Sequence, residues 1–187
     1  MKIVVIGNSI VNGFPFRRSQ CFTSILRTEY CHETINKGIN GDTTGGVLLR
    51  FSEDALRSAP EKILLMTGTN DFIAGGSVET AIDHVRSMIS LAGEGKMIAL
   101  TPLLTHPALA GRMWMRADYA AVNRKLGEFA QRLGELEGID IIDTQNAYAE
   151  YVEKTSAREA YVDGIHPKEG GHEYLASFIA EELKRFI

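Results

Sequence analysis

The chain has 187 residues, 44% of them hydrophobic and 24% charged, with a formal net charge of −4 at pH 7. That length and mix suit one domain spanning residues 1–187 with a full core, and they exclude a disordered or fibrous chain. The acidic balance argues against broad electrostatic contact with nucleic acid or anionic lipid, and no run of about 18 apolar residues offers a membrane-spanning helix.

The opening Lys2-Ile3-Val4-Val5-Ile6-Gly7 falls short of the roughly 7–15 apolar residues of a secretory signal and reads as a buried strand. It runs into Gly7-Asn8-Ser9, where a glycine permits a sharp turn and the serine falls at the strand's carboxyl edge. The spacing from Gly7 to Gly13, with no lysine after it, is not a Walker A loop. The absence of GxGxxG removes support for a dinucleotide or flavin site. Helices are expected near 19–31 and 44–57. Cys21 and Cys31 make no disulfide framework or metal spacing. On one helix they would stand about 15 Å apart, too far to bridge. Reduced thiols in a cytoplasmic protein are the reading, with an exported chain whose signal was removed left open.

A weaker strand near Thr34-Ile35-Asn36 leads into Gly38-Ile39-Asn40-Gly41-Asp42-Thr43-Thr44. Its two glycines can expose backbone N–H groups to a ligand, although a turn closing on an Asp or Thr helix cap explains them as well. The apolar run Ile63-Leu64-Leu65-Met66 is followed by Thr67-Gly68-Thr69-Asn70-Asp71. There the Asn70 carboxamide can donate to a developing oxyanion, or merely shape an Asx turn.

Val78, Ala81, Ile82, Val85, Met88, Ile89 and Ala92 recur at helical spacing between an N-cap at Ser77 and Gly93. After a strand at Met97–Leu100, residues 103–116 are expected to form one long irregular stretch. Its Arg112-Met113-Trp114-Met115-Arg116 either walls an acyl pocket or packs over the sheet edge or another subunit. Tyr119, Val122, Leu126, Phe129 and Leu133 form the next helical stripe, Ile139–Ile142 a further strand, and Tyr174, Leu175, Phe178, Ile179 and Leu183 the last stripe, beginning near Gly170. Unalternated apolar strands separated by helices predict a three-layer α/β/α flavodoxin-like sandwich with a mainly parallel sheet of about five strands. Ligands of such sheets bind beyond the strands' carboxyl ends.

Ahead of the last helix stands Asp163-Gly164-Ile165-His166-Pro167. If the chain turns at Gly164, the Asp163 carboxylate reaches the imidazole Nδ1–H and leaves Nε2 free as a base. Among the other histidines, His32 and His84 fall in helical patterns, His106 in the irregular stretch, and His172 is a rival base without an acid placed like Asp163. Asp42 and Asp71 are rival acids with an ordinary capping role.

Together Gly7-Asn8-Ser9, Gly38, Gly68-Thr69-Asn70-Asp71 and Asp163-Gly164-Ile165-His166 resemble, in order and along the whole chain, the four blocks of the SGNH hydrolases, also called the GDSL esterase/lipase family. The Asn40-Gly41-Asp42-Thr43 stretch looks most like its bacterial thioesterase/lysophospholipase branch. The resemblance implies a serine ester hydrolase for small to medium acyl esters or thioesters, needing no metal or organic cofactor. Ser9 would be the nucleophile, His166 the base and Asp163 its partner. The Ser9 and Gly38 N–H groups and the Asn70 amide would form the oxyanion hole. Asn8, Thr69, Trp114, Met115 and Ile165 are the expected substrate contacts. A carbohydrate acetylesterase and a catalytically weakened binding protein are the alternatives on the same scaffold. The departure is Asn8, where the family has Asp; Asn keeps a carbonyl acceptor and loses the charge.

Overall fold

Successive side chains of a strand point to opposite faces, so an unbroken apolar run needs cover on both. The computed structural model describes residues 1–30, 32–115 and 117–186. Its strands are β1 (Lys2–Gly7), β2 (Glu33–Gly38), β3 (Lys62–Met66), β4 (Met97–Leu100) and β5 (Ile139–Ile142). They form one sheet in the order β2-β1-β3-β4-β5, every neighbouring pair parallel. The helices, in chain order, are α1 (Ser9–Asn12), α2 (Phe22–Thr28), α3 (Thr44–Phe51), α4 (Thr69–Ile73), α5 (Val78–Ala92), α6 (Pro107–Trp114), α7 (Tyr119–Leu133), α8 (Thr144–Lys154), α9 (Ala157–Ala160) and α10 (Glu169–Leu183).

The alternation sorts the core into two halves. Val4, Ile6, Ile63, Leu65, Met97 and Ala99 pack against apolar residues of α3, α5 and α7. Ile3, Val5, Leu64, Met66, Ile98 and Leu100 pack against those of α2, α8 and α10. A fully buried side chain such as Leu64 contributes roughly 1.5–3 kcal/mol by burial, and its truncation to alanine costs about 2–5 kcal/mol once the cavity is counted. β2 and β5 are the sheet edges and stay half-buried, which is why the strand around Thr34-Ile35-Asn36 is only weakly apolar. Strand order reverses between β1 and β3, the switch point where sheets of this order bind ligands. Gly7 pairs with both Gly38 and Met66, so the segments that leave these three strands emerge side by side.

Several expected boundaries shift. Residues 103–116 are not one irregular stretch, because α6 occupies Pro107–Trp114. Pro107 opens that helix, where a missing N–H costs nothing, and His106 caps it with Nδ1 accepting from Leu109 N at 3.3 Å. The expected 19–31 helix splits into a 3₁₀ turn at Arg18–Gln20 and α2, which ends at Thr28, so His32 lies outside any helix. The 44–57 helix is α3 followed by a π-helical turn at Ser52–Leu56. α8, capped by Asp143 and burying Ala147 and Tyr148, has too short an apolar stripe to stand out in the sequence. Cys21 caps α2, buried and free; Cys31 and Arg116 lie outside the described residues. Among the described residues no helix is long and apolar enough to cross a membrane.

Candidate active site

β1 must end in glycine, since a Cβ at Gly7 would meet the Met66 carbonyl oxygen at 1.9 Å. Asn8 then caps α1, its Oδ1 accepting from Ile10 N at 3.0 Å. The cap needs only an acceptor, so asparagine fills it without a charge. Ser9 is the first residue of α1, and its Oγ lies 2.8 Å from His166 Nε2.

His166 is held by the segment that carries it. Its Nδ1 is 2.7 Å from Asp163 Oδ2, while Asp163 Oδ1 accepts the backbone N–H groups of Ile165 and His166, each at 2.9 Å. Burial alone raises the carboxyl's pKa, but the His166 side-chain hydrogen bond and charge, with these backbone donors, outweigh it and hold Asp163 below the usual carboxylate range. An anionic Asp163 only accepts, which puts a proton on Nδ1 and leaves Nε2 to accept from the Ser9 hydroxyl. The turn demands Gly164: its φ is +88°, and a Cβ there would sit 2.4 Å from Ala110 N. His106 N donates to Gly164 O at 2.7 Å, and Val162 N to His166 O at 2.9 Å, which ties the turn to α6 and to itself.

These groups open onto a cavity of about 350 Å³. Ser9, Asn40, Gly41, Asn70 and His166 form its polar side; Phe14, Ile73, Trp114, Tyr119 and Ile165 form the apolar side. Phe14 sets its ring edge-on to His166 at 4.8 Å between centroids, and Trp114 does so at 6.4 Å. Asn70 Nδ2 donates one hydrogen to Asp42 O at 2.9 Å, which sets the amide's rotamer and leaves the second N–H for the cavity. Asp71, next in sequence, accepts Thr44 N at 2.9 Å and Thr44 Oγ1 at 2.5 Å, locking α4 to the start of α3. Thr44 Oγ1 also meets His84 Nδ1 at 2.8 Å.

One expected position moves. Gly38 does not line the cavity; its N–H donates to Asn36 Oδ1 at 2.9 Å, and a Cβ there would strike Asn12 N at 2.2 Å. Gly41 lines it instead, at φ +79° with open space where a Cβ would go, and among the described residues its N–H meets no acceptor. Two glycines three apart look alike in sequence; only the packing of Gly38 against α1 separates them. Among the expected substrate contacts, Trp114 and Ile165 line the cavity, whereas Asn8 is buried as a cap, Thr69 is buried within α4, and Met115 is 85% exposed beyond α6. Phe14, Asn40, Ile73 and Tyr119 carried no signal in the sequence that marked them as lining residues.

The rivals fall away from the cavity. His172 is fully buried in α10, stacked on Phe22, with burial first and the His166 charge second lowering its pKa to about 4. His106 is a helix cap and Asp42 an ion-pair partner of Arg50.

Residues 5–174 match the GDSL-like lipase/acylhydrolase family. The chain belongs to that family. It is a carboxylic ester hydrolase with the three-layer fold of its relatives. It is 25% identical to an arylesterase of Vibrio mimicus over 191 residues, covering 100% of this chain and 90% of that protein. To the thioesterase 1/protease 1/lysophospholipase L1 of Escherichia coli K12 it is 22% identical over 189 residues, 99% of this chain and 84% of that one. The crystal structure of a lipase/acylhydrolase from Enterococcus faecalis superposes with a TM-score of 0.83 at 26% identity, covering 98% of this chain and 95% of that chain.

Proposed function

We propose that this GDSL hydrolase cleaves small to medium acyl esters or thioesters through an acyl-enzyme on Ser9. The observation that carries the reading is the unbroken Ser9–His166–Asp163 hydrogen-bond chain, whose Ser9 and His166 line a half-apolar cavity. Ser9 Oγ attacks the acyl carbonyl as His166 Nε2 takes its proton, and Asp163 stabilises the resulting imidazolium. The oxyanion is received by the N–H groups of Ser9 and Gly41 and by Asn70 Nδ2, each donor worth about 3–4 kcal/mol in the transition state. His166 then protonates the departing alcohol or thiol, and water, deprotonated by the same imidazole, releases the acid.

A cavity of about 350 Å³ lies at the low end of the ~300–1,000 Å³ usual for ligand sites. The walls at Phe14, Ile73, Trp114, Tyr119 and Ile165 favour a short apolar acyl or aryl group. The arylesterase and thioesterase relatives support that class. An organophosphonate should give one adduct per chain, located on Ser9 by peptide mass analysis. Turnover across a graded series of nitrophenyl esters should peak at short to medium acyl lengths. An active enzyme that is never labelled on Ser9 overturns the mechanism; turnover confined to acetylated sugars overturns the substrate class.

A further inference from the structure

Beneath the turn that carries Gly41 lies a charge network that the reaction itself does not use. Arg50, on α3, is largely buried. Its Nε and Nη2 each lie 2.8 Å from Asp42 Oδ2, its Nη1 donates to Lys37 O at 2.8 Å, and its Nη2 donates to Gly7 O at 3.1 Å. Nη1 also pairs with Asp54 at 2.8 Å, and Asp54 in turn with Lys37 at 2.9 Å. One guanidinium therefore clamps the end of β1 just before Asn8-Ser9, the end of β2, and the Asp42 side chain. Room for that carboxylate comes from Gly46, where a Cβ would sit 1.9 Å from Asp42 Oδ1. The same Asp42 presents its backbone carbonyl to Asn70 Nδ2 at 2.9 Å.

We infer that Arg50 is a positioning residue for ester hydrolysis: by holding Asp42 it fixes the carbonyl that aims the Asn70 amide at the developing oxyanion. The inference rests on the oxyanion role proposed for Asn70. The fork geometry matters, because a planar guanidinium with five donors can reach two backbone carbonyls and two carboxylates at once, whereas an ammonium cannot hold them all. An oxyanion donor must be set to a fraction of an ångström, so a loosened Asp42 costs turnover more than substrate binding. Asp54 supplies the control, since it joins the network without touching the Asp42 turn.

The experiment compares kcat, KM and thermal stability for Arg50→Met, Arg50→Lys, Asp42→Asn and Asp54→Asn. Arg50→Met and Asn70→Ala are then combined. Arg50→Met should lower kcat about tenfold to a hundredfold with KM within about twofold. Arg50→Lys should recover part of that loss. Asp54→Asn should lower the melting temperature yet leave kcat near wild type. In the Asn70→Ala background the Arg50→Met loss should shrink to within about threefold, the non-additivity expected of groups acting through one another. Full additivity, or an Asp54→Asn loss equal to that of Arg50→Met, reduces Arg50 to a structural part and overturns the inference. Should Arg50→Met fail to fold, Asp42→Asn carries the same comparison with Asn70→Ala: a kcat loss that shrinks in that background supports the inference, and an unchanged or additive kcat overturns it. Organophosphonate labelling of the wild type runs alongside. Labelling on Ser9 with additive variants defeats only the role of Arg50, whereas absence of labelling in an active enzyme defeats the catalytic reading itself.

Discussion

The Asp163–Pro167 turn and the Gly38–Thr44 turn both border the cavity, yet they are built on opposite principles. In the first, the side-chain contacts are local, with one backbone tie to α6 through His106: Asp163 bonds to His166 at Nδ1 and to the N–H groups of residues two and three further on. In the second, local bonds from Asp42 N to Ile39 O and from Thr43 N to Asp42 Oδ1 are joined by distant groups: Arg50 and Asn70 hold Asp42, and Asp71 holds Thr44. A turn whose bonds close within itself announces its geometry in sequence. A turn held by distant groups does not: Gly38 and Gly41 look alike in it until packing puts Gly41 on the cavity and Gly38 against α1.

The comparison breaks most visibly if the local turn serves no chemistry. Ser9→Ala should reduce kcat by about 10⁴–10⁶ with the fold intact, and Asp163→Asn by about 10⁴, because the wrong tautomer is then favoured. Steady-state hydrolysis of a nitrophenyl ester measures both, and a loss under tenfold in either would remove that residue from the proposed mechanism. On the distal side, Asn70→Ala should cost about 10²–10³ in kcat with little change in KM. A change confined to KM would assign Asn70 to ground-state binding.

The two glycines can be separated directly. Gly38→Ala forces a Cβ onto the Val11–Asn12 backbone, so its loss should appear as a lowered melting temperature. Gly41→Ala meets no atom within 4 Å and bears only the cost of a left-handed residue, about 1–2 kcal/mol. It should fold and lose kcat, since relaxing φ from +79° swings the N–H away from the cavity. Calorimetry paired with kinetics reverses the assignment if Gly38→Ala is stable and inactive while Gly41→Ala is fully active.

The smallest effect on turnover concerns His172, which bears on stability alone. Burial lowers its folded pKa to about 4, below the 6.5 of an ordinary histidine, so the unfolded chain binds the proton first as pH falls. The neutral histidine's stability is complete above pH 6.5 and is lost on descending toward pH 4, by roughly 3 kcal/mol. His172→Asn, which keeps an acceptor near the Nδ1 position facing Phe22 N, should flatten that slope in pH-dependent denaturation and leave kcat unchanged. A loss of kcat in the folded variant would return His172 to candidacy as the base.

β1, β3 and β4 were legible because each is a short, unalternated apolar run, β2 and β5 less so because they are half-buried edges, and α5 and α7 because their stripes hold for fifteen residues between clear caps. Ser9, Asn70, Asp163 and His166 stood out as candidates because their segments follow strands or precede the last helix and together resemble the blocks of the SGNH hydrolases; singly, Ser9 and Asn70 read equally well as turn residues. α6 was missed although Pro107 marked its start, since its buried face is little more than Ala110. The cavity's apolar wall was half missed for the same reason: Phe14, Ile73 and Tyr119 are ordinary hydrophobic residues until the segment after α1 converges with α4 and α7.

Sequence by itself determined the sheet, the order of its strands' trailing segments and the Asp163–His166 pairing, because apolar periodicity and a three-residue spacing act over a few bonds. Tertiary structure alone decided which glycine faces the cavity, which aromatic rings wall it, and that Arg50 would gather β1, β2 and the Asp42 turn into one rigid edge. Those outcomes depend on where a side chain dozens of residues away comes to rest, and that is set by the packing of helices on the sheet.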